Sequence, residues 1–123
     1  MTDIQFDTGV RSYRMGGGVL KFNPSDPNLY CRFLEAVEEL AKLEADFDKG
    51  GVAALRELDG QVKTVLQGVF GPENDLEAVF GGLNLLAVGE NGHRILENFV
   101  SALEPILKAG ALRCAREQAE ALA

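Results

Sequence analysis

The chain has 123 residues, of which 46% are hydrophobic and 25% charged. That length and balance fit one globular domain whose core forms without metals or disulfides. Twelve Lys and Arg against 19 Asp and Glu leave a net charge of −7, a surface that repels phosphate backbones and argues against nucleic-acid binding. The opening MTDIQFDTG lacks the pattern of a secretory leader. The longest apolar stretches are interrupted well short of the roughly 18–20 residues that a membrane span needs. The expectation is a cytoplasmic protein with no membrane segment.

The first quarter predicts short strands. Ile4 and Phe6 alternate with polar neighbours before a turn at Asp7-Thr8-Gly9, the stretch from Val10 to Met15 is a second candidate, and Gly16-Gly17-Gly18 turns the chain into a third, Val19 to Phe22. Two or three such strands are marginal alone and need a helix on one face. The period then changes. Tyr30, Phe33, Leu34, Val37, Leu40 and Ala41 make an amphipathic stripe from Pro27 to about Phe47. A second helix follows through Ala54, Leu58, Val62, Val65, Leu66 and Val69, weakened by Gly60 and Gly68 at up to about 1 kcal/mol each.

Gly71-Pro72-Glu73-Asn74-Asp75 predicts a turn that opens a short helix over Leu76 to Phe80. The glycine-rich, apolar Gly81 to Gly92 predicts a loop or a partly helical connection. A last helix from about His93 presents Ile95, Leu96, Phe99, Val100, Leu103, Ile106 and Leu107, with Pro105 expected to bend it and Gly110 to end or break it. The reading is a single α+β domain, mainly helical. An antiparallel β meander occupies residues 1–22 and about four helices pack as a bundle, with residues 27–109 as the helical part and 110–123 as an exposed or frayed helical tail.

Each chemical motif has a structural explanation. In Asn23-Pro24-Ser25-Asp26-Pro27, Pro27 suits the first helical position, where its missing N–H is no loss. Asp26 can cap the free N–H groups, with Ser25 a competing cap, and Pro24 favours extended backbone at Asn23. This is a strand-to-helix corner. Asp7-Thr8-Gly9 matches the aspartic-protease triplet, but that chemistry needs paired aspartates in a β framework. Gly16-Gly17-Gly18 lacks the lysine of a phosphate loop and precedes a strand.

His93 is the sole histidine and has no partner set for acid–base work. Asp46/Asp48 and Glu38/Glu39 are solvated helix faces, and DFDKGG lacks the remaining ligands of a calcium loop. Cys31 and Cys114, far apart in helical patterns, are expected as reduced, semi-buried fillers without a disulfide or metal. No catalytic, cofactor-binding or metal site is expected. An enclosed polar pocket around Asp7, His93 or Asp26 would be the mark of a small enzyme or ligand-binding domain.

The order of features is itself distinctive. A strand pair IQFDTGVRSYRM runs into FNPSDP and a helix. Phe70-Gly71 and Phe80-Gly81-Gly82 follow, and HRILENFVSALEPIL closes the pattern. This resembles, over nearly the whole chain, the small tail assembly chaperones of long-tailed phages and prophages of Gram-positive bacteria. The resemblance implies a non-enzymatic protein of the host bacterial cytoplasm. It would bind the apolar, helical tape measure protein and help tail-tube protein assemble around it, often as a homo-oligomer, and some such proteins also have a frameshifted longer form.

More apolar helical surface than one core needs supports partner binding. The residues expected to meet the partner are Phe80, Leu83, Leu85, Leu86, Phe99 and Leu103. The alternative is a structural or adaptor component of the particle, a connector or minor tail protein.

Overall fold

The computed structural model describes residues 1–47 and 50–122. Among them, strands β1 (Arg11–Met15) and β2 (Gly18–Phe22) precede helices α1 (Pro27–Ala45), α2 (Val52–Phe70), α3 (Leu76–Phe80) and α4 (Ile95–Leu122). The fold is α+β and mainly helical, as the change of period at Pro27 predicts. Asp48, on which one expected carboxylate pair and part of DFDKGG fall, lies outside the described residues.

The two strands form one antiparallel hairpin with Arg11 opposite Phe22 and Met15 opposite Gly18. Gly16 takes φ +55° in the turn, a left-handed value that glycine tolerates without penalty. Tyr13, Met15, Leu20 and Phe22 lie on the face turned to the helices, and Leu20 is fully buried.

The expected first strand, through Ile4 and Phe6, is not in the sheet. Both side chains are exposed, at 84% and 77%. The turn before β1 does form, with the Gly9 N–H bonded to Asp7 Oδ1 at 2.8 Å. However, Asn23 Nδ2 donates to the Thr8 carbonyl at 2.9 Å, carrying the chain on past the end of the hairpin ladder instead of back along β1.

The core is one cluster to which β2 and every helix contribute. Phe33, Leu40, Leu58, Val62, Leu66, Phe99, Leu103 and Leu107 supply its helical interior. A row of rings crosses it from sheet to last helix. Tyr13 stacks on Phe22 at 4.4 Å, Phe22 meets Phe70 at 5.8 Å, and Phe99 receives both Phe70 at 6.2 Å and Phe80 at 5.0 Å. Such offset and edge contacts add about 0.5–1.5 kcal/mol each beyond the area they bury.

Helix α4 runs antiparallel to α1. Arg94 at its start pairs with Glu44 near the end of α1, while Gly110, sixteen residues on, lies against the backbone of Pro24 and Ser25 at the entrance to α1. Contrary to the expectation from sequence, Gly110 therefore neither ends nor breaks the helix. It stays helical because only a residue without a Cβ lets the two backbones come so close. Pro105 also stays within α4. The tail is a continuous helix to Leu122, and beyond Ala111 only Cys114 is partly shielded. Cys31 is exposed and not semi-buried, because it projects from the solvent side of α1; both cysteines are free thiols.

Candidate functional site

The FNPSDP corner is built from its own side chains. Asp26 is the N-cap of α1, its Oδ1 accepting from the Asn28 N–H at 2.9 Å, and Pro27 stands at the first helical position. Ser25 does not compete for the cap. Its N–H and its hydroxyl both donate to Asn23 Oδ1 at 2.8 Å, and the Asp26 N–H bonds the Asn23 carbonyl at 3.2 Å. Asn23 thus organises the turn, ties down Thr8 and lies beneath Gly9, while Gly110 of α4 packs on Pro24. The side chains of Asn23, Ser25 and Asp26 thus bond within the turn, to Thr8 and to the start of α1, while α4 meets the corner by backbone packing.

The second structured turn is GPEND. Asn74 is 3% exposed and its side chain is fully used. Its Oδ1 accepts from the Lys21 N–H at 2.7 Å, and its Nδ2 donates to the carbonyls of Lys21 at 3.0 Å and Phe70 at 2.7 Å. One carboxamide thereby pairs with the outer edge of β2 as a neighbouring strand would, and also satisfies a carbonyl at the end of α2. Gln67 Nε2 secures the same turn, donating to the carbonyls of Gly71 and Asn74. Sequence reasoning identified this stretch as a turn but gave Asn74 no role; its signal is an asparagine at a helix exit, too common to single out.

The apolar loop between α3 and α4 is similarly held. Buried Asp59 accepts from the Leu85 N–H at 2.8 Å and pairs with Lys63 at 3.0 Å. Asn84 Nδ2 reaches the Leu55 carbonyl, and the Leu85 and Ala87 carbonyls accept from the first N–H groups of α4. Arg94 bridges Glu44 and Glu97. Its hydrogen bond to Glu97 raises the guanidinium pKa above its ordinary value, against some opposing desolvation. The same bond holds the Glu97 carboxyl below its ordinary value, with a smaller contribution from His93, which lies 3.3 Å away.

Of the six residues expected to meet a partner, Phe80, Leu85, Phe99 and Leu103 are in the core. Leu86 is half-buried against it, and Leu83 alone is well exposed. The helical stripes from which they were chosen are real, but the face they mark is the one turned inward.

The exposed apolar surface lies elsewhere. Leu34 and Val37 stand on the outer side of α1. Beside them a groove of about 280 Å³ runs between α1 and α4, with Val37, Ala41 and Val100 on its walls and Arg94, Glu44 and Glu97 at one end. The last three turns of α4 carry Leu112, Ala115, Ala119 and Leu122 at steps of three, four and three. Leu112 and Leu122 are exposed, and Leu112, Ala115 and Ala119 line a shallow open surface with Ala109 and Arg116.

Asp7, His93 and Asp26 do not converge on a pocket. Each serves a local turn, cap or helix pair. Among the described residues, no group of three or more His, Cys, Asp or Glu could hold a metal ion, and no helix is long and apolar enough to cross a membrane. No family model, curated protein or solved structure matches the chain.

Proposed function

We propose that this protein is a non-enzymatic assembly chaperone of the phage-tail type, which receives an apolar helix of a long partner such as a tape measure protein and keeps it soluble in the bacterial cytoplasm. The observation that carries the reading is the projecting end of α4. From Leu112 to Leu122 the helix extends about 15 Å at ~1.5 Å per residue without packing on the body beyond the partial cover of Cys114.

Its apolar residues repeat with the three–four spacing of a coiled-coil seam. A seam of this kind closes on another helix, and its two alanines permit close approach of the incoming backbone. The groove between α1 and α4 offers a second, adjoining apolar strip. The net charge of −7 keeps the occupied complex dispersed by mutual repulsion.

Co-production with a tape measure segment tests the reading. The segment is expected in the soluble fraction with the native chain and in the pellet with a Leu112→Asp/Leu122→Asp variant. A segment that stays insoluble beside the native chain, or that is solubilised equally by the variant, refutes it.

A further inference from the structure

The hairpin has two edges, and only one is sealed. With Met15 opposite Gly18 closing a two-residue turn, the hydrogen-bonded pairs are Met15–Gly18, Tyr13–Leu20 and Arg11–Phe22, so the N–H and C=O groups of the intervening residues point outward. On β2 these belong to Val19 and Lys21. Asn74 takes both groups of Lys21, and α3 covers the rest of that edge, with Gly18 close against Ala78 and Val79. On β1 they belong to Ser12 and Arg14, and among the described residues no backbone or side-chain partner reaches them. An open edge of this kind is a template for a further strand.

A strand of fitting chemistry is present in the same chain but is not placed to use that edge. Residues 1–10 are exposed throughout. Ile4 and Phe6 alternate with Asp3, Gln5 and Asp7, a strand pattern with one apolar and one acidic face. The tie between Thr8 and Asn23 directs this segment away from its own β1.

The two faces of β1 match it. Tyr13 and Met15 lie at the margin of the core on the inner face, where Ile4 and Phe6 would extend the apolar layer. Arg14 stands on the outer face with no ion pair among the described residues, where Asp3 and Asp7 would lie. In antiparallel register with Ile4 opposite Met15 and Phe6 opposite Tyr13, apolar meets apolar on the inner face while Asp3 and Asp7 flank Arg14 diagonally on the outer, so that residues 4–7 pair with residues 12–15.

We propose that residues 3–7 of one copy add as a strand to the open β1 edge of a second copy, so that the protein self-associates by strand addition. The occupant is another molecule of this chain, with its apolar side against Tyr13 and Met15 and its carboxylates beside Arg14.

The test pairs an arm variant with an edge variant. Ile4→Asp/Phe6→Asp removes the apolar face of the arm at exposed positions. Ser12→Pro removes only an outward N–H, which an edge strand tolerates without losing its own hairpin bonds. Light scattering on the native chain is expected to give a mass above that of the 13.3 kDa monomer and each variant alone the monomer, with far-UV circular dichroism of all three unchanged. Mixed, the Ser12→Pro chain still supplies an arm and the arm variant still supplies an edge, so a one-to-one heterodimer is expected.

A native chain that stays monomeric at high micromolar concentration overturns the proposal. So do variants that associate as the native chain does, or a mixture that fails to pair. Because these readouts use this chain alone, their failure leaves the solubility assay for the tape measure segment unaffected, and the converse holds.

Discussion

Replacing Asn74 by alanine removes three hydrogen bonds from one buried side chain. The losses are unequal. The Phe70 carbonyl lies inside the protein at the end of α2 and is left without a donor, at about 1–3 kcal/mol. The N–H and C=O of Lys21 belong to an exposed residue of β2, so water can reach them in part, and each bond lost there costs about 0.5–1.5 kcal/mol. Together the expected destabilisation is about 4 kcal/mol, with about 2–6 as bounds, a large fraction of the ~5–15 kcal/mol that holds a domain of this size.

Urea unfolding followed by far-UV circular dichroism measures it directly. Asn74→Asp sharpens the test, since the carboxylate still accepts from the Lys21 N–H but turns its other oxygen on two carbonyl oxygens. It should be less stable than the alanine variant at neutral pH and recover in acid, where protonation restores one donor. An alanine variant within about 1 kcal/mol of the native chain, or an aspartate variant as stable as the native chain, would refute the role assigned to this residue.

Gly110→Ala should destabilise despite the better helix propensity of alanine, because the added methyl would overlap the Pro24 carbonyl oxygen. A loss of about 1–3 kcal/mol in chemical unfolding is expected. By contrast Gly60→Ala and Gly68→Ala, where nothing lies within 4 Å of the added carbon, should each gain about 0.5–1 kcal/mol in α2. Carboxyl NMR titration should find Glu97 below its ordinary value of 4.5 and moved upward by Arg94→Met. Since its folded-state value is depressed, the stabilisation it gives is complete above the ordinary value and is lost as pH falls through the depressed one. Mass spectrometry of finished particles should not find this protein if it acts as a chaperone, and would find a structural adaptor.

The helices were legible because burial imposes its period on them. Of the stripe read in α1, Phe33 and Leu40 point at the core, whereas Leu34, Val37 and Ala41 are exposed and Leu29 and Ala36 are buried in their place. In α2 Leu58, Val62, Leu66 and Val69 point inward as the spacing predicts. The cap at Asp26 and Pro27 and the extent of α3 follow from local chemistry, with Asp75 capping its start and Gly81 in a left-handed conformation at its end.

What eluded the sequence depends on contacts between distant positions. Ile4 and Phe6 alternate like a strand, yet one hydrogen bond from Asn23 to Thr8 decides that they do not join β1. Gly110 looks like a helix stop until Pro24 is seen beside it. Periodicity also tells which residues share a face but not what the face meets, so Phe80, Leu85, Phe99 and Leu103 were assigned to a partner although the protein's own core claims them. The exposed seam at Leu112 to Leu122 was passed over because alanines dilute its apolar signal.

Under the proposed strand addition, the carboxamide that closes the far side of β2 sets the valence of the molecule. A subunit with one donor segment and one acceptor rail can join at most two neighbours. Its assemblies must then be reciprocal pairs, closed rings or unbranched threads, never networks. Were Lys21 as free as Ser12, each hairpin would offer two rails to a single arm, and stoichiometric closure would be lost.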